Sequence, residues 1–346
     1  MARQSVRLLL TCVGGSLAWE MVGAFAKAES LKISVTGVDK NPDALGKHFV
    51  KKFYPVPGGE SPRYAEVLLG LCEKEGIEVV VPGSDEEAFN LSRNEEMFRS
   101  KGIVCTVPRR ELLESFSDKY RMYRTLESAG VPVPSYHRVA SADDLLGLSA
   151  ELGYPQNPFI LKPPSTRGGR GVWKVSAKAA HEPFFGRAGQ VREATLEEMM
   201  GMLERLNPFP PLMVMEYLEG DFYDVDILSD KGKSLYKVVR KRMNPLGIPF
   251  KGNLLEKNEA ILDLAEAIQG TLRLNYLLDI DIAYSSGRGA QLMEVNPRPS
   301  GSAVATVEAG LNLFEYLVRL AVGLDVPQRE IPYGTVVLPK TVVFKA

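Results

Sequence analysis

Short apolar runs, each followed by turn residues, recur along the first third of the chain. VRLLLTCV (residues 6–13) predicts a buried strand, and the turn GGS follows it. Beyond the turn, Leu17, Met21 and Phe25 recur every four residues, which predicts one face of a helix. Further strands are predicted for KISVTGVD, EVVVPGSD and GIVCTV. Strands that alternate with helices predict a parallel sheet with helices on both faces.

Ligands of such sheets bind beyond the carboxyl ends of the strands, where Gly14, Asp39 and Asp85 fall. The glycine pair with Asp39 also suggests a dinucleotide-binding unit and hence a nicotinamide oxidoreductase. The full GxGxxG pattern is absent, so a plain tight turn is the simpler interpretation.

The remaining two thirds of the chain mix helices and strands. SDKYRMYRTLESAG predicts a helix that Ser117 caps and Gly130 ends. A second helix is predicted over residues 256–274, where Ile261 and Ile268 share one face. TLEEMMGMLERL predicts a third. Strands are predicted for FILKPP, LMVMEYLEG, FYDVDIL and SLYKVVRKR.

A hairpin near the C-terminus carries acidic residues at every second position. LDIDIAY and QLMEVN flank the turn SSGRGA, and strand residues two apart point to the same face. If the turn is centred between residues 287 and 288, Asp281 lies opposite Glu294 and Asp279 lies opposite Asn296. Like charges that face each other destabilise a sheet.

A divalent cation would turn this repulsion into attraction. Oxygen ligands without nearby histidine or cysteine favour Mg²⁺ or Mn²⁺. Arg298 follows Pro297 and would hold an anion beside the metal, an arrangement that suits a polyphosphate. The alternative is a solvated polar face of the hairpin.

A glycine-rich loop, KPPSTRGGRGV, follows the predicted strand FILK. Glycines 168, 169 and 171 would let backbone N–H groups approach a phosphate, although the loop is not a Walker A motif. A flexible turn and a fragment of an RNA-binding RGG tract are the alternatives. Lys162 ends the strand and Lys119 begins the preceding helix, so both are candidates for binding the phosphates of one nucleotide.

Composition narrows the class of protein. The 346 residues suggest two domains, and a formal net charge of −1 gives no field that would recruit nucleic acid or a membrane surface. The three cysteines form no CxxC pair, which favours a cytoplasmic setting. The N-terminus resembles a secretory signal, but Gly14, Gly15 and Glu20 interrupt it, so strand, turn and helix are preferred.

The ordered set of motifs resembles the ATP-grasp superfamily, and most closely its carbamoyl-phosphate-synthase-like branch. In chain order these motifs are the GG turn, VPGSDEEAF, SDKYRMYRTLESAGVPVP, ILKPPSTRGGRGV, MVMEYLEG, DIDIAY and MEVNPRPSGS. The resemblance implies α/β and α+β architecture: a Rossmann-like pre-ATP-grasp domain (residues 1–116) and a two-lobed ATP-grasp domain (residues 117–346, lobes 117–211 and 212–346). It implies an ADP-forming carboxylate–amine ligase that uses ATP with Mg²⁺ or Mn²⁺ and forms an acyl phosphate.

Matched motif by motif, the resemblance also implies roles for individual residues. The residues expected to bind ATP are Lys119, Lys162, the loop Ser165–Val172 with Arg167, Gly168, Gly169 and Gly171, and the adenine-reading strand Met215, Glu216, Tyr217 and Leu218. The expected metal ligands are Asp281, Glu294 and Asn296. Arg298 is expected to stabilise the transferring phosphoryl group, with Lys162 assisting. Arg240 and Arg242 are expected to meet the anionic substrate.

Two departures from the family pattern stand out. Phe222 occupies the position of a ribose-binding glutamate, so Asp221, Glu219 or Asp224 is expected to substitute. Residues 177–195 form a long insertion that suggests a lid or a partner surface. With one ATP-grasp unit and no glutaminase pattern, a stand-alone ligase is preferred to carbamoyl phosphate synthesis, and a homodimer is its expected assembly. The alternative is a non-catalytic ATP sensor or assembly partner on the same fold.

Overall fold

The computed structural model describes residues 4–116, 118–165, 171–178, 192–245 and 250–344. The chain divides into two compact units, each built from segments that are distant in sequence. The first unit contains residues 1–113, 222–282 and 294–346. The second contains residues 114–221 and 283–293.

The N-terminal part of the first unit is a five-stranded parallel sheet with the strand order β3-β2-β1-β4-β5. Its strands are β1 (Gln4–Leu10), β2 (Leu31–Asp39), β3 (Lys52–Pro55), β4 (Val79–Val81) and β5 (Val104–Cys105). The helices are α1 (Ala18–Ala26), α2 (Tyr64–Glu75), α3 (Asp85–Arg93), α4 (Glu95–Arg99) and α5 (Arg110–Phe116), with a 3₁₀ turn at Leu45–His48; the residues of α5 from 114 onward belong to the second unit.

Alternating side chains of β1 enter two different cores, because neighbouring residues of a strand point to opposite faces. Leu8 and Leu10 pack in a core that contains Phe25 of α1. Leu9 packs in a second core that contains Leu68 of α2. The prediction of a parallel sheet with helices on both faces is therefore confirmed.

The second unit is built on a five-stranded mixed sheet with the order β6-β10-β7-β8-β9, in which the pair β8–β9 is parallel. The strands are β6 (Tyr136–Val139), β7 (Phe159–Lys162), β8 (Trp173–Val175), β9 (Arg192–Ala194) and β10 (Leu212–Glu216). The helices are α6 (Lys119–Ser128), α7 (Ala142–Glu151) and α8 (Leu196–Leu203). Asp118 caps α6 by accepting from the Arg121 N–H, and Ser117 lies outside the described residues.

The C-terminal part of the first unit is built on a six-stranded sheet, β15-β14-β11-β12-β13-β16. The strands are β11 (Asp221–Asp230), β12 (Lys233–Arg242), β13 (Asn253–Leu255), β14 (Tyr276–Ser285), β15 (Gly289–Asn296) and β16 (Val336–Val337). Its helices are α9 (Glu259–Leu272), α10 (Val304–Glu308) and α11 (Leu313–Ala321), with a 3₁₀ turn at Gly301–Ala303. Residues 283–293, at the turn end of the β14–β15 hairpin, group with the second unit.

Helices α10 and α11 join the two sheets of the first unit. Phe314 of α11 packs edge-on against Phe25 of α1, with ring centroids 5.6 Å apart. On the other side of α11, Tyr316 stacks on Tyr236 of β12. One continuous core thus links the N-terminal sheet to the strands that carry the acidic hairpin. Within the described residues, every helix falls short of the length and apolarity that a membrane span requires.

Candidate active site

The hairpin of β14 and β15 carries the polar face that the alternation predicts. Asp279 is almost completely buried, and its Oδ2 accepts a hydrogen bond from Asn296 Nδ2 at 3.1 Å. Ile280 and Ile282, which point to the opposite face, are fully buried. The two polar residues that the predicted register places opposite each other are therefore in contact.

Arg240 of β12 is the largest fully buried side chain, and all three guanidinium nitrogens are engaged. Nε and Nη2 donate to the two carboxylate oxygens of Asp226 at 2.6 and 2.9 Å. Nη1 donates to Asp224, Asn253 and Ser302 at 3.3, 2.8 and 2.9 Å. With 0% of its surface exposed, Arg240 does not take the substrate-contacting position expected from the sequence; it neutralises buried carboxylates instead.

Arg242 bridges two strands at the edge of the same network. Its Nη2 donates to Asp224 Oδ1 at 2.5 Å and to Asp281 Oδ1 at 2.7 Å. Asp224 was a candidate for the ribose contact, but both of its oxygens accept from arginines and it is 5% exposed. The structure therefore corrects that assignment and makes Asp224 a member of the carboxylate network.

Carboxylates outnumber guanidinium groups in this network. We call it the aspartate–arginine cluster, and its members are Asp224, Asp226, Asp279, Asp281, Arg240 and Arg242. Burial, reinforced by Asp281 and Asp224, raises the pKa of Asp279 well above its usual range. Burial also raises the pKa of Asp281 to about 6, although Arg242 opposes the shift. Ionising all four carboxyl groups beside only two arginines would leave an excess of negative charge, which is costly to bury without a further cation.

The residues fit a divalent cation on two grounds. Asp279 Oδ1 is buried and has no hydrogen-bond partner among the described residues. A bound cation would satisfy this oxygen. Single oxygens of Asp224, Asp279 and Asp281 also lie within 4.8 Å of one another. Carboxylate oxygens are the ligands that Mg²⁺ and Mn²⁺ prefer. Glu294 lies near enough for its charge to raise the pKa of Asp281.

Arg298 reaches from the end of the hairpin to the N-terminal sheet of the same unit. Its Nε lies 3.1 Å from Oδ1 of Asp85, the first residue of α3. Burial opposes the charge of Arg298, but the carboxylates of Asp85, Asp279, Asp281 and Glu294 together raise its pKa. Arg298 is thus held as a permanent cation beside the aspartate–arginine cluster, while 22% of its side chain stays exposed to meet an anion.

A buried glutamate lies at the carboxyl edge of the N-terminal sheet. Thr11 Oγ1 donates to Glu87 Oε2 at 2.5 Å and accepts from the Gly83 N–H at 2.9 Å. Burial raises the pKa of Glu87 to about 7. Asp39, in contrast, accepts from the backbone N–H groups of Gly14 and Asn41. Both Asp39 oxygens thus serve the local turn, which supports the tight-turn interpretation over dinucleotide binding.

The raised pKa of Glu87 makes stability depend on pH. Because the folded state favours the protonated acid, stability falls as pH rises from the ordinary glutamate pKa through about 7. Glu87→Gln removes this loss. As pH rises from 4.5 to 8.5, the free energy of unfolding of the variant should therefore increase by about 2–4 kcal/mol relative to that of the natural chain. Urea unfolding at several pH values measures the difference. The exposed Glu66→Gln on α2 is the matched control, and parallel curves for Glu87→Gln and the natural chain would refute the assignment.

In the second unit, both lysines assigned to phosphate binding are buried. Lys119 begins α6, is 7% exposed, and its backbone N–H donates to Pro164 O at 2.9 Å. Lys162 ends β7, is 8% exposed, and its Nζ lies 5.9 Å from the centre of the Tyr123 ring. A backbone hydrogen bond therefore ties the start of α6 to the segment that leads from Lys162 into the glycine-rich loop.

Residues 166–170 of the glycine-rich loop, which include Arg167, Gly168 and Gly169, fall outside the described residues. Ser165 is exposed, and Gly171 has a φ of +72°, a backbone conformation that favours glycine. Residues 179–191 of the insertion also lie outside the described part of the chain.

The segment expected to read adenine continues from β10. Met215 and Leu218 are buried, while Glu216 Oε1 accepts from the Ser135 N–H at 2.9 Å and the other oxygen pairs with Arg288. Lys174 Nζ lies 4.7 Å from the Tyr217 ring centre. The side chain of Glu216 is thus used to fix this strand, which leaves the backbone as the part that could read a base.

Comparisons with known proteins agree with this architecture. Residues 208–340 match a family described as ATP-grasp in the biosynthetic pathway with Ter operon. Residues 8–106 match the PylC-like N-terminal domain. The arginine-specific carbamoyl phosphate synthase large chain of Geobacillus stearothermophilus is 23% identical over 83% of this chain and 26% of that protein. The chain spans about a quarter of the length of the curated relatives it matches.

Solved structures show the same fold. N5-carboxyaminoimidazole synthetase of Staphylococcus aureus in complex with ADP has a TM-score of 0.68 at 15% identity, covering 97% of this chain and 81% of that one. The biotin carboxylase domain of Hydrogenobacter thermophilus 2-oxoglutarate carboxylase, with MgADP and bicarbonate, has a TM-score of 0.68 at 18% identity, covering 94% and 72%. The fold is therefore the one that these ATP-grasp enzymes share. The resemblance to the ATP-grasp superfamily that the motifs predict is confirmed to this extent: the C-terminal part of the chain matches an ATP-grasp family and the N-terminal part matches a PylC-like domain.

Proposed function

We propose that the protein is an ATP-dependent carboxylate–amine ligase that forms ADP. The observation that carries this proposal is the aspartate–arginine cluster, in which four carboxyl groups face two arginines and Asp279 Oδ1 has no hydrogen-bond partner among the described residues, so that a cation beside Arg298 would be stabilised. ATP-grasp ligases use ATP with a divalent metal. The two solved relatives hold ADP, one of them with magnesium.

Each part of the proposed site has a distinct task. We assign the metal to Asp281, Glu294 and Asn296, and the neighbouring carboxylates of Asp224 and Asp279 offer further ligand oxygens. A bound Mg²⁺ would neutralise the phosphate oxygens of the nucleotide. Residues proposed to bind the nucleotide are Lys119, Lys162, Ser165, Arg167, Gly168, Gly169 and Gly171 at the phosphates and the backbone of Met215–Leu218 at the base. Asp221 and Glu219 remain the proposed ribose contacts.

The proposed reaction has two steps. A carboxylate oxygen of the substrate attacks the γ-phosphorus of ATP, so an acyl phosphate forms and ADP leaves. The amine nitrogen then attacks the acyl carbon, the bond from that carbon to the phosphate oxygen breaks, and the nitrogen loses a proton. Arg298 would stabilise the charge that develops on the phosphoryl oxygens and on the acyl phosphate. Arg240 is proposed to act indirectly, by holding the aspartates in place.

The organisation of the protein is part of the proposal. We assign residues 1–116 to a pre-ATP-grasp domain and residues 117–346 to an ATP-grasp domain with lobes 117–211 and 212–346. The three cysteines are free, which supports a cytoplasmic setting. Small-molecule substrates are proposed as the partners, and a homodimer is the proposed assembly.

ADP release tests this function. The protein is incubated with ATP and Mg²⁺ and a panel of carboxylic acids, each with and without a panel of amines, and a coupled assay reports ADP. We expect turnover that requires one acid and rises with one amine. ATP binding without turnover across a broad panel would favour the sensor function, for which the replacement at Phe222 is the supporting observation. Saturable quenching or enhancement of NADH fluorescence would instead favour an oxidoreductase.

A further inference from the structure

Arg242 occupies an unusual position between two strands of the six-stranded sheet. Its Nη2 lies 2.5 Å from Asp224 Oδ1 on β11 and 2.7 Å from Asp281 Oδ1 on β14. Its Nε lies 2.8 Å from the same Asp224 oxygen. A single guanidinium nitrogen thus holds together two carboxylates that would otherwise repel each other.

The oxygens that accept from Arg242 belong to the same carboxylates that offer ligands to a cation. Asp224, Asp279 and Asp281 form the one acidic group among the described residues whose oxygens cluster closely enough for a metal ion. A divalent cation would lie about 2.0–2.6 Å from its ligand oxygens, close to the distance at which Nη2 now lies. The nitrogen and the cation cannot occupy that space together.

Arg240 and Arg242 differ in how firmly they are held. Arg240 is 0% exposed and also donates to Asn253 and Ser302, two groups that would stay with it whatever happens to the carboxylates. The side chain of Arg242 is 13% exposed and lies at the C-terminal end of β12. Arg242 is therefore the guanidinium that can leave the cluster by rotating its own side chain toward solvent.

We propose that Arg242 is an internal counter-ion that a divalent cation must displace from Asp224 and Asp281, and that this competition sets the metal affinity of the site. The inference rests on the proposed metal-dependent function. It makes Arg242 a positioning residue: it keeps the carboxylates together before the metal binds and weakens metal binding by competing for the same oxygens. Once a cation has displaced it, the Arg242 guanidinium can pair with an anion that binds together with the metal.

Mn²⁺ binding to the nucleotide-free protein tests the proposal, with free Mn²⁺ counted by electron paramagnetic resonance. Removing the competing charge by Arg242→Gln should tighten Mn²⁺ binding by about tenfold or more, since one positive charge beside two carboxylates is lost. Lys233→Gln, at the other end of β12, removes one exposed positive charge and should leave the affinity unchanged. A merely structural arginine would weaken Mn²⁺ binding when replaced, and unchanged or weaker binding would overturn the proposal.

A second measurement uses the natural chain and does not depend on the folding of a variant. With ¹⁵N-labelled arginine, saturating Mg²⁺ should speed hydrogen exchange at the Arg242 Nε–H, assigned through Arg242→Lys, and leave the Arg240 signal protected. An Arg242 signal that stays protected with Mg²⁺ bound would contradict displacement. The two proposals fail separately. If Mn²⁺ binding tightens in Arg242→Gln but the protein releases no ADP, the proposed ligase function is wrong. If ADP is released but Mn²⁺ binding does not tighten, the proposed displacement of Arg242 is wrong.

Discussion

Glu294→Gln should lower the rate of ADP formation by about 10²–10⁴-fold, because it removes a charge that we propose stabilises the metal and the transferring phosphoryl group. Glutamine has nearly the same shape, and Glu294 is only partly buried, so the packing of β15 is preserved. We expect the free energy of unfolding to change by less than about 1 kcal/mol. Steady-state ADP release and urea unfolding of the same preparation measure the two quantities.

The matched control for this variant is Glu330→Gln, which makes the same chemical change at an exposed position. It should retain the activity of the natural chain. Mn²⁺ binding should weaken in Glu294→Gln and stay unchanged in the control. Near-normal activity of Glu294→Gln would show that the hairpin does not hold the metal, whatever the protein binds elsewhere.

Arg240→Met should cost about 3–5 kcal/mol of stability, the largest loss that we expect from a single side chain in this sheet. The variant leaves Asp226 buried without its bidentate partner and removes a donor from Asp224. Asp226 is 0% exposed, so water cannot replace the lost hydrogen bonds. Urea unfolding at pH 7, with the midpoint and slope fitted separately, measures the change.

Removing both partners of the ion pair tests the cause of this loss. The double variant Arg240→Met with Asp226→Asn leaves a neutral amide instead of an unpaired charge, so it should recover part of the stability lost in Arg240→Met. A double variant that is as unstable as the sum of the two single variants would point to lost packing around Arg240 instead. If Arg240→Met is as stable as the natural chain and loses only turnover, the result would favour the substrate-contacting role that the sequence predicts for Arg240.

The fold was largely predictable because its main elements have strong local patterns. The apolar run of β1 and the four-residue spacing of α1 place a strand and a helix without reference to anything distant. Strand β3 (Lys52–Pro55) was missed, because a four-residue edge strand that begins with a lysine and ends with a proline has no apolar run. Edge strands are often short and polar, which prevents them from pairing with another chain. The same lack of an apolar run makes them hard to predict from the sequence.

The acidic hairpin was also predictable in part. Residues two apart share a face of a strand, so LDIDIAY and QLMEVN were enough to bring Asp279 and Asn296 together. The same alternation, DVD in FYDVDIL, could have placed Asp224 and Asp226 on one face of β11. What the sequence did not reveal was that β11 lies between β14 and β12 in one sheet, so that the two arginines of β12 would pair with the aspartates and not with a substrate.

The sequence by itself determined the order of strands and helices, the polar face of the hairpin and the resemblance to ATP-grasp proteins, because these depend on spacings within short segments. Only the tertiary structure decided which charges meet. Arg240 and Asp226 are 14 residues apart, and Arg298 and Asp85 are separated by more than half of the chain. The strength of a buried ion pair depends on distance and on exclusion of water, and both arise only when strands from distant segments join one sheet and one core.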